Sequence, residues 1–174
     1  MPEEINRRVT VAICDVYWTP SPDADVHLLR EGVVAAKRTR EALGLLDAPY
    51  AVVTLHRLSN VDTEAALRPL VTRLLAGAER LKRVFAVHPR TRKRLEDFGL
   101  LGAIEAAPGI MLTAPLGYLQ CMNLVCGAAA VVTDSGGVQE ETTYLGIPCL
   151  TLRENTKRPV TISLGTNRLV PAQR

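Results

Sequence analysis

The residues best suited to chemistry gather in Thr133-Asp134-Ser135-Gly136-Gly137-Val138-Gln139-Glu140-Glu141, which joins an apolar run to an amphipathic one. A helix starting at Ser135-Gly136-Gly137 would offer unpaired backbone amides and a hydroxyl, and the glycines lack the Cβ that keeps an anion at a distance. Phosphate or diphosphate is the ligand class that suits such a corner, and Glu141, a turn later, could accept hydrogen bonds from ribose hydroxyls. The same stretch also reads as a plain Ser/Gly helix start with no ligand. Arg158, in Thr156-Lys157-Arg158-Pro159, carries a planar fork that matches phosphate oxygens, or is an ordinary surface arginine. His56, followed by Arg57, and His88 could donate to a phosphate or move a proton near neutral pH. Each also reads as a hydrogen-bonded loop histidine, and His27, near Asp23, reads as structural.

These residues need a scaffold, and from Tyr50 onward short β-branched runs alternate with amphipathic stretches, as in parallel strands joined by crossover helices. Five strands are expected, at 51–55, 84–87, 110–113, 130–133 and 149–152. Between the first two, Leu67, Leu70, Val71, Leu74, Leu75, Ala78 and Leu81 recur at helical spacing. Pro69 fits only the first turn of that helix, or a kink. Later helices are expected at 91–98, 119–126 and 139–145, ending at Gly99, Gly127 and Gly146. The polar segments follow the strands and so share the carboxyl-terminal edge of the sheet, where open parallel sheets bind ligands. Residues 1–32 break the rhythm: 16–18 could form a strand, Thr19-Pro20-Ser21-Pro22 a turn and 23–30 a helix.

At 174 residues, one α/β core is the default. Its 47% hydrophobic and 22% charged residues exclude the core-poor composition of disordered chains. A net charge of +3 points to no nucleic-acid or bilayer partner, and the run Arg90 to Arg94 reads as a solvated helix face or, less simply, a polyanion patch. Cys14, Cys121, Cys126 and Cys149 form no CxxC pair and have no histidines at ligand spacing, so they are expected as reduced core thiols, with no metal and no cofactor. The absence of a run of about 18 apolar residues, with an acidic Met1-Pro2-Glu3-Glu4 start, leads to the expectation of a cytoplasmic protein.

Seven segments, taken in order, resemble one family. They are Pro2-Glu3-Glu4-Ile5-Asn6-Arg7; Val53-Thr54-Leu55-His56-Arg57 with Ser59-Asn60; Val87-His88-Pro89-Arg90; Pro115-Leu116-Gly117-Tyr118-Leu119; residues 133–141; Leu152-Arg153-Glu154-Asn155-Thr156 with Arg158-Pro159; and Gly165-Thr166-Asn167-Arg168-Leu169. Together they are similar to the non-hydrolysing UDP-N-acetylglucosamine 2-epimerases. The resemblance implies two Rossmann-like domains in the GT-B arrangement, with residues 1–34 from the first and 35–174 forming the UDP-binding second. It implies interconversion of UDP-GlcNAc and UDP-ManNAc, by loss of the C2 proton and of UDP followed by re-addition of UDP. Position by position, it implies Ser135, Gly136 and Gly137 on the diphosphate, Glu141 on the ribose, Arg158 on the phosphates, His56 beside diphosphate and sugar, and Glu3 as a catalytic carboxylate. Arg57, Leu116 and Cys121 join them as substrate-binding positions.

The chain departs from the family pattern in several places. The family's Gly-Thr-Arg-Pro-Glu loop and two further acidic motifs are absent, as are a stretch between Gly32 and Ala35 and the helices that follow Val170 in relatives. Turnover is therefore expected to need more than this chain, from a second copy or a chain that supplies the other domain. Cys121 replaces a phenylalanine near the uracil, Gln120 replaces an acid, and Lys157 replaces a glutamate beside Arg158. A non-catalytic UDP or UDP-sugar binding module and the donor half of a GT-B glycosyltransferase are the alternatives.

Overall fold

The computed structural model describes residues 37–171 and forms all five expected strands. β1 (Tyr50–Thr54), β2 (Lys82–Ala86), β3 (Ile110–Thr113), β4 (Ala130–Thr133) and β5 (Cys149–Thr151) lie within two residues of the expected bounds. Among the described residues the helices are α1 (Thr39–Ala42), α2 (Leu58–Val61), α3 (Glu64–Ala78), α4 (Pro89–Asp97), α5 (Leu101–Glu105), α6 (Tyr118–Cys126), α7 (Gly136–Tyr144) and α8 (Val160–Ser163). Glu3, Cys14, His27 and the strand and helix expected within residues 1–32 lie outside the described residues.

With β6 (Asn167–Leu169), the strands pair in parallel in the order β3-β2-β1-β4-β5-β6. The chain builds outward from β1 to β3, then crosses back to lay β4 on the other side of β1. That order is the Rossmann arrangement, and it places a topological switch point between β1 and β4.

Tyr50, Ala51, Val52 and Val53 are all buried, because helices cover both faces of the sheet. Alternate strand residues enter opposite cores, as the two-residue period of a strand requires. Val53 and Phe85 meet Leu67, Leu70 and Leu74 of α3 and Leu95 of α4, whereas Val52, Val84 and Val131 meet Leu119, Met122 and Val125 of α6. Truncating one such residue, Leu67 for example, costs about 2–5 kcal/mol, a large share of the net stability of a domain. Gly99 and Gly146 adopt positive φ, 65° and 70°, and so stop the helices before them.

Two expectations need correction. The first-turn reading of Pro69 fails, because it lies in the second turn of α3: the helix starts at Glu64, where the hydroxyl of Thr63 accepts from the Ala66 amide at 3.3 Å. The Ala65 carbonyl that Pro69 cannot bond belongs to an exposed residue, so water can satisfy it. The sheet also has a sixth strand where five were expected. β6 has no β-branched run; buried Asn167 holds it by accepting from Thr151 Oγ1 at 2.6 Å and donating to Gln139 Oε1 at 3.3 Å and Thr161 Oγ1 at 3.2 Å.

Candidate functional site

At the switch point the two loops are joined by one buried carboxylate. Asp134, immediately after β4, is 0% exposed and accepts from the backbone amides of His56 and Arg57 after β1. It also accepts from the side-chain amide of Asn60 at 3.1 Å, and Asn60 donates in turn to the Leu152 carbonyl after β5. The His56 ring places Nδ1 2.9 Å from Asp134 Oδ1, while 45% of that side chain stays exposed. Burial pushes the Asp134 carboxyl up, but the His56 ring and the Arg57 and His56 amides outweigh it and hold the group below the usual carboxylate range. The hydrogen bond to Asp134 raises His56 against the burial that lowers it.

The next residue, Ser135, is the N-cap of α7, yet its hydroxyl makes no cap hydrogen bond. Its own amide donates to Thr133 Oγ1 at 3.0 Å, so the α7 start is fixed to the sheet while the amides of its first turn lack a side-chain cap. Gly136 and Gly137 open this turn. Neither has positive φ, a Cβ on Gly137 would meet nothing within 4 Å, and one on Gly136 would make only an ordinary 3.6 Å contact with Arg153 Nη1. Protein packing therefore requires glycine at neither position. Arg57 leans on the same corner by donating from Nε to the Asp134 carbonyl at 2.8 Å. Burial lowers Arg153, and so does the neighbouring charge of Arg57, so two guanidinium groups crowd the corner.

Arg158 reaches this region through a fully buried hub, Gln139. Gln139 donates to the Ser135 carbonyl at 3.2 Å and accepts from Thr156 Oγ1 at 2.8 Å, and Thr156 Oγ1 accepts from the Arg158 amide at 3.0 Å. The exposed Arg158 guanidinium pairs with Glu140 of α7 at 3.0 Å. Such a pair in water is weak enough for an anion to compete for the arginine.

On the other side of His56 lies a largely apolar cleft of about 170 Å³, lined by Thr54, Leu55, His56, Ala86, His88, Pro115, Leu116 and Cys121. The fold thus gathers Leu116 and Cys121 around His56, at the carboxyl ends of β1, β2 and β3. Cys121 is pushed up to about 11 by burial and by the charge of Glu141, which places the α7 carboxylate near this wall. His88 is the N-cap of α4, and its Nδ1 accepts from the Arg90 amide at 3.2 Å.

Asp134, Asn60, Gln139 and Arg153 were not singled out from the sequence as site residues. Asp134 stood inside the most distinctive segment, but an acid there gives no sign that its partners lie 77 and 78 residues away. Among the described cysteines Cys149 is buried, Cys121 is partly buried and Cys126 is exposed, so the expectation of core thiols fails at Cys126, on the outer side of α6. The basic run on α4 is a solvated face interlaced with acids: Arg90 and Arg94 lie 3.8 Å and 3.6 Å from Asp62, and Arg92 lies 3.3 Å from Glu96. No helix among the described residues is long and apolar enough to cross a membrane.

The sequence profile of the UDP-N-acetylglucosamine 2-epimerases matches residues 34–174. The UDP-N-acetylglucosamine 2-epimerase of Methanocaldococcus jannaschii is 36% identical, over 98% of this chain and 54% of its own length. That alignment runs over 197 residues, more than the 174 here, so the relative carries segments with no counterpart in this chain. A crystal structure of the Methanocaldococcus jannaschii enzyme in complex with UDP-GlcNAc and UDP aligns with a TM-score of 0.71 at 34% identity, over 99% of this chain and 54% of that one. The Neisseria meningitidis enzyme bound to UDP-GlcNAc aligns with a TM-score of 0.69 at 26% identity, over 99% and 53%. The chain spans about half the length of the relatives it matches, and its sheet is the Rossmann-like half of a GT-B-type architecture. By profile, sequence and fold together, the chain belongs to the UDP-N-acetylglucosamine 2-epimerase family.

Proposed function

We propose that this chain carries the UDP-binding half-site of a non-hydrolysing UDP-N-acetylglucosamine 2-epimerase, which interconverts UDP-GlcNAc and UDP-ManNAc. The observation that carries the proposal is the uncapped first turn of α7, opened by two glycines that packing does not require and flanked by Arg57 and Arg153. A diphosphate accepts from the Ser135 hydroxyl and the Gly136 and Gly137 amides, in the positive field of the helix start. Arg158 exchanges Glu140 for a phosphate oxygen. Glu141 takes the ribose, and the uracil lies against Leu116 and Cys121, where sulfur in place of an aromatic ring gives weaker stacking.

In the reaction a base removes the C2 proton, the C1–O bond breaks, and UDP leaves with the bonding electrons, forming a glycal. UDP then adds back after the opposite face of C2 is protonated. Charge accumulates on the departing phosphate, and His56, whose protonated form Asp134 favours, donates from Nε2 to that oxygen. The carboxylates that act at C2 come from Glu3 and from the part of the family architecture that these residues do not match. A second copy or another polypeptide supplies the opposite wall of the cleft when this chain does not.

The test is titration calorimetry of the chain with UDP, followed by incubation with UDP-GlcNAc in deuterium oxide and NMR of C2. UDP binding with no deuterium at C2 is the expected result for the half-site alone. Deuterium uptake would show that these residues suffice for proton transfer, which also supports an epimerase and rejects a purely binding module. No heat of binding at millimolar UDP overturns the proposal.

A further inference from the structure

The cleft contains two imidazoles with opposite local chemistry. The ring centroids of His56 and His88 lie 6.2 Å apart, with the ring planes tilted by 43°. His56 Nδ1 lies 2.9 Å from a carboxylate oxygen of Asp134, an acceptor only when ionised, so the ring proton belongs on Nδ1. His88 Nδ1 instead accepts from the Arg90 amide, so the neutral ring of His88 carries its proton on Nε2. The Asp134 carboxylate cannot turn away. Its oxygens are held by the His56 and Arg57 amides and by Asn60, and it has no access to solvent.

We propose that Asp134 is a positioning residue that fixes His56 as the Nδ1–H tautomer and leaves Nε2 as the nitrogen open to the ligand, while the α4 cap holds His88 in the opposite tautomer. With both rings neutral they form an acceptor and donor pair lining one cleft, and His56 becomes a donor at Nε2 when protonated. A proton that moves through His56 does so at Nε2 only, and Asp134 stabilises the resulting imidazolium without taking the proton. Of the charges around His56, Asp134 favours that cation and Arg57 opposes it. The role of the pair in releasing a phosphate rests on the proposed function; the tautomers themselves do not.

Long-range proton-nitrogen NMR of the full 174-residue chain separates the two, with ring signals assigned from His56→Gln and His88→Gln. Above its titration midpoint, wild-type His56 should show a protonated Nδ1 and a bare Nε2, and His88 the reverse. Asp134→Asn should invert His56: the amide oxygen keeps Arg57 and Asn60 as donors, its NH2 faces the ring, and the proton moves to Nε2. The titration midpoint of His56 should also drop in this variant. A wild-type His56 with its proton on Nε2 overturns the proposal even if Asp134→Asn does not fold, as does a folded variant with unchanged tautomer and midpoint. A purely structural Asp134 would alter stability but not the ring tautomer. If the tautomers are as stated and UDP does not bind, the functional reading fails and the positioning role stands.

Discussion

Replacing Gly137 by alanine gives opposite signs for fold and ligand, which makes it an informative change at the α7 corner. Gly137 is the second residue of α7, its φ is not positive, and an added Cβ meets no atom within 4 Å. The methyl therefore enters open space in the free protein. Alanine narrows the unfolded ensemble and suits a helix better, so Gly137→Ala should stabilise the chain by about 0.4–1 kcal/mol. If a diphosphate oxygen packs on this backbone, the same methyl lengthens or breaks a hydrogen bond to a charged group worth about 1.5–3 kcal/mol. At about 1.4 kcal/mol per decade, UDP affinity should fall roughly tenfold to a hundredfold. Urea denaturation measures the first effect and calorimetry with UDP the second. A variant at least as stable as the parent that binds UDP equally well would place the diphosphate elsewhere.

Thermal stability should depend on pH through the His56–Asp134 pair. The raised pKa of His56 gives a contribution that is complete below about 6.5 and lost as pH rises through the raised value, whereas that of Asp134 is complete above about 3.9 and lost as pH falls through its depressed value. The melting temperature should therefore fall above pH 6.5, and His56→Gln should flatten that limb; a limb of the same slope in the variant would contradict the pairing. Asn60→Ala leaves the buried Leu152 carbonyl without its side-chain donor and takes one of several donors from the Asp134 carboxylate; it should cost about 1–3 kcal/mol in urea denaturation, so an unchanged midpoint would count against the network. Arg158→Ala should leave stability within about 1 kcal/mol, since its pair with Glu140 is exposed, yet weaken UDP binding; Glu140→Gln should tighten it by freeing the arginine. Calorimetry on both variants checks the pair, and equal affinities would remove Arg158 from the site.

Much of the sheet was legible because its central strands are buried on both faces, so the apolar run Tyr50-Ala51-Val52-Val53 announces itself without knowledge of its partners. The rim was legible for a related reason: the polar residues that interrupt such a pattern must fall at strand ends. β6 was hidden because it lacks an apolar run and is held by its backbone pairing with β5 and by side-chain hydrogen bonds at Asn167, which leave no periodic trace. Pro69 misled for the converse reason, since α3 begins one turn earlier than its apolar stripe. Residue types at the site were enough to suggest a phosphate, while individual roles came from family resemblance. The buried supports, Asp134 and Gln139, depend on contacts between distant loops, and spacing along the chain does not encode which loops meet.

Titration of UDP into the isotopically labelled chain, with the backbone amide shifts mapped, checks whether the nucleotide diphosphate sits on the first turn of α7 with its base toward Leu116 and Cys121, as proposed. The largest shifts should fall on Ser135, Gly136 and Gly137, with smaller ones at His56, Leu116 and Cys121. Shifts that leave the α7 start unmoved while UDP binds would place the diphosphate away from this turn.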